Sequence, residues 1–280
     1  MISIAISNIA WRAEEDIEVQ ALLRKLGIQA IEVAPTRITP RPVPFDARTA
    51  TEVRSFRRQW ESAGFQVIAL QSLLYGQPDL QVFGTDESRK NLAHYLDQIF
   101  ELAREGGAPV LVFGSPSNRK AGHLNREEAA TSAGILFREI GKNARRRGVT
   151  LALEPNPPIY GCDFLTTAGE TVEWLDREAP DGEGLGLHLD AGGIYLAGED
   201  PIEAARLYGG RARHFHVSAP QLAPIGPDCV IDYPNIFSAL KYSGYDGYVS
   251  IEMKAHPTES NLTRIENAIR YTRSSLTGTA

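Results

Sequence analysis

The sequence has little of what marks several large classes of protein. Its only two cysteines, Cys162 and Cys229, lie far apart and form no C-x-x-C pair, so we expect a reducing compartment in which neither thiol supports the fold. No apolar run is long enough to span a bilayer. The opening MISIAISNIAW has no basic lead and only a short apolar run, which favours a first strand over a secretion signal. We therefore expect a soluble, cytoplasmic protein.

Positive charge is also in deficit. The chain has 29 Lys and Arg against 35 Asp and Glu, a formal net charge of -6, which argues against a general affinity for phosphate backbones. The glycine patterns GxGxxG and GxxxxGK, which mark many nucleotide sites, are absent. What remains, 42% hydrophobic and 23% charged residues over 280 positions, is typical of a globular protein with a large core.

Short runs with strand character alternate with stretches of helical periodicity along the whole chain. The runs begin at Ile2, Ala30, Val67, Val110, Val149, Leu185, Arg213 and Gly247. Gly148 stands where a glycine ends a helix, and Thr166 or Thr167 is placed to start another. Eight such units without a linker predict an α/β fold in which residues 1–280 form a single (β/α)8 TIM barrel domain. A doubly wound open sheet is the alternative, and the missing glycine patterns disfavour it.

In such a barrel, catalytic groups gather at the carboxyl ends of the strands. Four neighbouring predicted strands end in or near a charged or imidazole group, namely Glu154, Asp190, His216 and Glu252. Each has an ordinary interpretation by itself, such as an ion-pair partner for Glu154 or a helix cap for Asp190. Three carboxylates at one mouth would repel one another, however, and a divalent cation is the simplest neutraliser.

Two histidines stand two residues apart in RHFHVS, and strand geometry sends His214 and His216 to the same face. Metal ligands and hydrogen-bonded packing residues both produce this pattern. The pair alone leaves the two interpretations open.

These residues belong to a set of motifs that resembles the sugar phosphate isomerase/epimerase superfamily of xylose isomerase-like TIM barrels. IEVAPTRI, LQSLLYG, LVFGSPSNR, LALEPNPPIYGCDFLTT, HLDAGG, HFHVSAP and SIEMK follow in the expected order, one per strand. The resemblance implies one divalent metal ion, most often Mn2+ or Mg2+ and sometimes Co2+ or Zn2+, bound by Glu154, Asp190, His216 and Glu252. It also implies that His214 packs beneath His216 or hydrogen-bonds a ligand carboxylate.

Resemblance to the keto-sugar epimerases of this superfamily also implies a reaction. The metal would make the C–H bond next to a chelated carbonyl acidic. Glu154 and Glu252 would then remove and return the proton from opposite faces through a cis-enediolate. This gives a metal-dependent isomerase or epimerase of a sugar or sugar derivative. Loss of a group from the β carbon would instead give a lyase or dehydratase acting on a keto-sugar derivative, and the sequence does not separate the two.

The chain departs from those epimerases at two places. They carry a histidine three residues after the aspartate, where this chain has Gly193, and an arginine after the HxH strand, where it has APQLAPIG. His188, on the face of Asp190, either replaces part of the lost imidazole or is a buried structural histidine. Lys254 either stabilises an oxyanion or is a solvated loop residue.

Four more residues complete the candidate substrate contacts. Glu32 faces inward by alternation and is a candidate for a substrate hydroxyl, and His214 lies one layer beneath His216. Arg119 is a candidate for an anionic group, although a solvated surface position is the stronger expectation for a loop arginine. Trp11 either forms a wall for an apolar sugar face or caps the barrel core.

Two other classes of protein are disfavoured. The zinc endonucleases of the same superfamily need further histidines on strands three and four and a D-x-H after strand seven, where this chain has LQSLLYG, VFGSP and DCV. A non-catalytic binding barrel would not need all four charged strand ends. We therefore expect a small sugar as the partner and neither nucleic acid nor membrane, while a homodimer is compatible with the sequence but not decided by it.

Because Gly193 and Leu222 stand where the sugar epimerases carry hydrogen-bonding groups, we expect poor turnover of free ketohexoses. Each unmade polar contact costs about 1–3 kcal/mol. The values of kcat/KM for fructose and tagatose should therefore lie well below those of a dedicated epimerase measured in parallel. Equal specificity constants would contradict this assignment.

Overall fold

The computed structural model of the chain describes residues 1–180 and 184–278, and at its centre is a closed barrel of eight parallel strands in sequential order. The strands are Ser3–Ser7 (β1), Ala30–Val33 (β2), Gln66–Leu70 (β3), Val110–Phe113 (β4), Thr150–Leu153 (β5), Leu185–Asp190 (β6), Ala212–Ser218 (β7) and Tyr248–Glu252 (β8). Each run with strand character overlaps one of them, and β3 and β7 begin one residue before the predicted run. The prediction of a TIM barrel is confirmed, and the open sheet is excluded.

Ten α-helices accompany the barrel in the described part of the chain. They are Asp16–Lys25 (α1), Pro35–Ile38 (α2), Ala47–Ser62 (α3), Asp86–Gly106 (α4), Arg126–Arg146 (α5), Ala168–Glu178 (α6), Ala191–Leu196 (α7), Pro201–Tyr208 (α8), Tyr233–Tyr242 (α9) and Asn261–Thr277 (α10). None of these helices combines the length and the apolar character needed to cross a bilayer.

Local sequence determines where the helices begin and end. The Thr167 hydroxyl accepts a hydrogen bond from the Glu170 amide at 3.1 Å, so Thr167 caps α6. Asn125 and Glu128 form a reciprocal capping box at the start of α5. Gly148 follows the end of α5 with a left-handed φ of 71°, a conformation that glycine adopts without steric cost. Both predicted helix boundaries are confirmed.

Alternation along the strands divides the buried residues into two layers. Outward-facing Ile6, Ile31 and Leu151 are fully buried and belong to the same apolar cluster as the helix residues Leu96 and Ile99. A second, small cluster consists of Ala5, Ala30, Ile68 and Ala69, packed against Val110 and Tyr248. Ala30, Val110 and Tyr248 are the first residues of their strands, so this cluster fills the amino-terminal end of the barrel interior.

Strand register then places polar residues at the opposite end of the interior. Across β6, β7 and β8, the aligned pairs are His188 with His214, Asp190 with His216, His216 with Ser250, and Ser218 with Glu252. Because residues two apart on a strand share a face, all of these side chains point into the barrel. The carboxyl end of the barrel therefore holds a polar layer above an apolar base.

Candidate metal centre and active site

The four residues predicted as metal ligands lie together at the carboxyl end of the barrel. Asp190 and Glu252 end their strands, Glu154 directly follows β5, and His216 precedes the end of β7 by two residues. The Nδ1 atom of His216 is 3.2 Å from Glu252 Oε2 and 3.8 Å from Asp190 Oδ2. Glu154, Asp190 and Glu252 line one cavity.

The environment of one atom, His216 Nδ1, indicates which ligand the four residues could bind. The side chain is 1% exposed, and Nδ1 has no hydrogen-bond partner among the described residues. Leaving a buried polar atom without a partner costs about 1–3 kcal/mol, and a cation beside the carboxylates would use its lone pair. Three carboxylates and one imidazole supply the oxygen and nitrogen donors of a divalent metal site. The residues fit a single divalent cation, and their assignment as its ligands remains a prediction.

The other ring nitrogen of His216 is bonded to Glu32 on β2. Nε2 lies 3.0 and 2.9 Å from the two Glu32 carboxylate oxygens, and the Ser250 hydroxyl donates to Glu32 Oε2 at 2.7 Å. Burial opposes ionisation of Glu32, yet His216 and His214 hold its pKa well below its usual range. When His216 is neutral, an ionised Glu32 favours its proton on Nε2, so that the lone pair on Nδ1 faces the carboxylates; a cation would bind this form of the ring.

Asp190 is oriented from two sides. Its Oδ1 accepts a hydrogen bond from the Gly193 amide at 2.5 Å, and its Oδ2 accepts one from the Ser218 hydroxyl. That hydroxyl in turn accepts from the Gly192 amide at 2.9 Å. Asp190 is therefore the cap of α7, as its ordinary interpretation suggested, and is also part of the carboxylate group. Each carboxylate oxygen keeps a lone pair for a further partner.

Glu154 is held by hydrogen bonds of its backbone, and its carboxylate lies in the space left by the absent side chain of Gly114. Its amide donates to the Phe113 carbonyl at 3.1 Å, and its carbonyl accepts from the side chains of Arg119 and Asn156. A Cβ atom at Gly114 would overlap the Glu154 carboxylate. The missing side chain at Gly114 thus leaves the room that this carboxylate occupies.

Burial and mutual repulsion make the site hold protons near neutral pH. Burial, followed by the charges of Asp190 and Glu252, raises the pKa of Glu154 to about 8. Burial and Glu252 raise the pKa of Asp190 to about 6. Burial alone would lower the pKa of His216, but Glu32 and Glu252 raise it well above its usual value. A divalent cation would compete with these protons, because it satisfies the same oxygens at once.

The cavity above these residues suits a small polyhydroxylated molecule. It has a volume of about 530 Å³, within the usual range of small-molecule sites. Neutral hydrogen-bonding side chains line much of it: Gln71, Ser72, Ser115, Asn156, Tyr160 and Gln221. Lys254 is the one lysine or arginine among the described residues that line it. Amides and hydroxyls both donate and accept, which matches the needs of substrate hydroxyl groups.

The loops around the cavity adopt strained backbone conformations. Five non-glycine residues in the described part of the chain have left-handed φ angles, and four of them, Ser72, Ser115, Gln221 and Leu222, line this cavity. Such a conformation costs on the order of 1–3 kcal/mol for a non-glycine residue and concentrates at functional sites. The loop conformations that form the cavity therefore lower the free energy of unfolding.

The structure corrects the role expected of Glu32. It is fully buried, and its carboxylate is engaged by His216 and Ser250, so it has no access to a substrate hydroxyl. Alternation correctly placed Glu32 on the inward face. Its depth in the barrel makes it a partner of His216 instead of a cavity residue.

His188 and His214 also lie beneath the cavity, at 0% and 2% exposure. The His188 ring is 4.2 Å from that of His216, and neither of its nitrogens has a partner among the described residues. Burial lowers the pKa of His188 well below its usual value, which keeps the ring neutral. The structural alternative is favoured for His188, and His214 packs beneath His216 with Nε2 3.5 Å from Glu32 Oε1.

The predictions for the three remaining candidates, Lys254, Arg119 and Trp11, have different results. Lys254 is exposed and lines the cavity. The expected surface position of Arg119 is wrong, because its loop folds inward and leaves the residue 1% exposed against the Glu154 carbonyl. Trp11 is also 1% exposed, donates from Nε1 to Asp16 at 2.7 Å and contacts Trp60, which favours the core alternative.

The sequence-based prediction missed several residues of the site, among them Ser218, Ser250 and Tyr160. Ser218 and Ser250 hydrogen-bond Asp190 and Glu32, and alternation from His216 and Glu252 would have placed both serines on the inward face. Tyr160 lies in a loop without periodicity, so no sequence pattern pointed to it.

Replacing Asp190 by alanine should remove the metal. The wild-type protein, purified without chelators, should carry about one divalent ion per chain, whereas Asp190→Ala leaves the remaining donors a less complete set. Elemental analysis of both proteins measures this, with the exposed Asp79→Ala as the control. Thermal unfolding should accompany it, because losing the cap of α7 costs about 0.5–2 kcal/mol by itself. Full activity after complete chelation would refute the metal assignment.

Glu32→Gln tests the carboxylate behind His216. The substitution keeps the shape but removes the charge that holds the proton on Nε2, so metal affinity should fall about 10- to 100-fold. Titration with Mn2+ and with Zn2+ measures the affinity, and the exposed Glu18→Gln serves as the matched control. Unchanged affinity would show that Glu32 does not prepare His216 for a cation.

Known proteins resemble this chain in sequence over much of its length. Residues 20–275 match the family model described as xylose isomerase-like TIM barrel. The inosose dehydratases of Clostridium tetani and Geobacillus thermodenitrificans are 23% and 25% identical over 202 and 203 residues, in each case 63% of this chain and 66% of the relative. The chain thus spans just under two thirds of these curated relatives.

Solved structures share the fold over nearly the whole chain. An L-ribulose 3-epimerase superposes with a TM-score of 0.80 at 18% identity, covering 99% of this chain and 95% of its own. The IolI protein, solved with a bound zinc atom, gives a TM-score of 0.75 at 19% identity and covers 99% of both chains. The family match over most of the sequence agrees with the observed barrel, and the chain belongs to the xylose isomerase-like TIM barrel family.

Proposed function

We propose that this protein is a divalent-metal-dependent enzyme that removes the proton next to the carbonyl group of an uncharged, polyhydroxylated ketone. One observation carries the proposal: Glu154, Asp190 and Glu252 converge on a cavity with the unpartnered Nδ1 of His216 beside them. Return of the proton at the same or a neighbouring carbon makes the enzyme an isomerase or epimerase of a sugar or sugar derivative.

The chain's own residues supply the base and the acid. A bound divalent ion would polarise the substrate carbonyl and acidify the adjacent C–H bond. Glu154 follows β5 and Glu252 ends β8, so two intervening strands separate them and they approach the cavity from different sides. One carboxylate takes the proton, and the other, as the acid, returns one. Neutral amides and hydroxyls of the cavity wall orient the substrate.

Charge balance supports an uncharged substrate. The three cavity carboxylates are offset by a divalent cation together with Lys254. A phosphate ester would add up to about two negative charges and would find no second lysine or arginine among the described lining residues. Inosose, L-ribulose and psicose, which the names of similar proteins contain, are uncharged ketones of this kind.

Dehydration of the same substrate class is the second candidate function. The curated relatives of this chain are named inosose dehydratases. Their reaction can begin with the same proton removal and differs in the next step, in which a hydroxyl leaves the β carbon. Both functions therefore share the first step and the two glutamates.

Substitution of each glutamate by glutamine tests the shared step. An amide can still bind metal but is not a base at neutral pH, so turnover should fall about 100- to 10,000-fold in Glu154→Gln and in Glu252→Gln. The two variants should differ, because removal and return of a proton on one face needs a single carboxylate. One of them should still incorporate solvent deuterium into the substrate without forming product.

The measurement uses Mn2+-loaded protein in deuterated buffer with inosose, L-ribulose, D-psicose and D-tagatose. Nuclear magnetic resonance follows deuterium incorporation and product formation separately, and the exposed Glu87→Gln is the control. Near-native turnover by either variant with its metal bound would show that the glutamate concerned is not an acid-base group.

A further inference from the structure

The proposed proton transfer leaves the chemistry of one cavity residue, Tyr160, unused. Tyr160 ends the short 3-10 turn Pro158–Tyr160, six residues beyond Glu154. Its side chain lines the cavity together with Glu154, Asp190 and Glu252 and is 39% exposed. It is the one tyrosine among the lining residues of the described chain.

The turn that carries Tyr160 is stiff. Pro157 and Pro158 restrict the backbone before it, and Gly161 ends the turn with a left-handed φ of 77°. The Tyr160 amide donates to the Pro157 carbonyl at 3.0 Å, and the Gly161 amide donates to the Pro158 carbonyl at 2.8 Å. The ring therefore leaves the backbone from a defined position.

The phenolic oxygen is held by the strained loop after β7. The backbone amide of Gln221 donates to Tyr160 Oη at 3.3 Å. Gln221 and Leu222 are both left-handed, with φ of 61° and 58°, and the Leu222 carbonyl accepts from the Lys254 amide at 3.1 Å. This contact uses the oxygen only as an acceptor. The hydroxyl proton has no acceptor among the described residues and is free for a ligand.

The surroundings keep Tyr160 protonated. Burial, and then the charges of Asp190, Glu154 and Glu252, raise its pKa above the usual value. The serine hydroxyls and side-chain amides that line the cavity are much weaker acids than a phenol and cannot take this role. The carboxyl groups are already used in the first step. Lys254 also lines the cavity, but it is exposed and its side chain has no partner among the described residues.

We propose that Tyr160 is a catalytic residue that donates its phenolic proton to a hydroxyl group leaving the carbon β to the substrate carbonyl. This step selects water loss, the second candidate function, as the continuation of the shared proton removal. The inference rests on the proposed function, because the enolate that expels the hydroxyl arises from the proton removal by a glutamate.

The atoms and electrons balance without a further reactant. One glutamate takes the α proton, and the electrons of the C–H bond form the enolate. The enolate then restores the carbonyl and forms a double bond between the α and β carbons, while the β C–O bond breaks with its electron pair on oxygen. That oxygen takes the Tyr160 proton and leaves as water. The phenolate regains a proton from the glutamic acid formed in the first step.

Tyr160→Phe separates this step from the one before it. With Mn2+-loaded protein and inosose in deuterated buffer, magnetic resonance records α-deuterium incorporation, and mass spectrometry records the dehydrated product. We expect incorporation within about threefold of wild type and KM little changed, while dehydration falls about 100-fold or more. Tyr75→Phe removes a hydroxyl from a tyrosine that is 74% exposed and outside the lining, and should leave both rates unchanged.

Each of the other possible results rejects either the role of Tyr160 or the proposed function. Near-native dehydration by Tyr160→Phe, or loss of both rates with native unfolding temperature and metal content, overturns the role of Tyr160 as the acid. A wild-type protein that incorporates deuterium but forms only an isomer or epimer overturns the inference and leaves the proposed function standing. A wild type that exchanges no proton with inosose or the three keto-sugars removes the proposed function and the inference with it.

Discussion

The site depends on one unfavourable interaction, the mutual repulsion of three carboxylates that the barrel brings to one cavity. Strand order and register place Glu154, Asp190 and Glu252 there, and burial together with their charges raises the pKa of Glu154 and of Asp190. The charges of His216 and Arg119 oppose the rise for Glu154, and the charge of His216 opposes it for Asp190, but both pKa values stay raised. Lys254 is exposed, and the hydrogen bond given by Arg119 goes to the backbone carbonyl of Glu154. The arrangement is costly by itself, and a bound divalent cation would offset the repulsion.

Each member of the group is held by a separate device that leaves its charge available. Glu32 fixes His216 through Nε2, Ser218 fixes Asp190, and the bare backbone of Gly114 makes room for Glu154. None of these contacts neutralises the carboxylates. Separate supports of this kind, each leaving a donor atom facing the cavity, are what a preorganised metal site needs.

The sequence predicted the barrel and the inward direction of the site residues, because a period of two and the order of strands are local properties. It did not predict how far below the cavity each inward-facing residue lies. Glu32 and His188 face inward as expected, yet both lie beneath the cavity, since the layer that a residue occupies depends on the register between strands. The positions of two loop residues could not be predicted from the sequence at all. Arg119 is buried in the loop after β4 and donates to the Glu154 carbonyl, and Tyr160 reaches the cavity from a turn without periodicity.

The same distinction between strands and loops governs function in this fold. Solved structures that share nearly the whole barrel with this chain at 15–19% identity include sugar epimerases, whereas the matching curated relatives are named dehydratases. In the function proposed above, the strand-end residues carry out only the proton removal that epimerisation and dehydration would share, so they would not select the product. That choice falls to the few loop side chains above them. Here Gly193 adds no polar side chain and Leu222 is apolar, and we assign the proton for water loss to the phenol of Tyr160, whose oxygen accepts a hydrogen bond from the Gln221 amide.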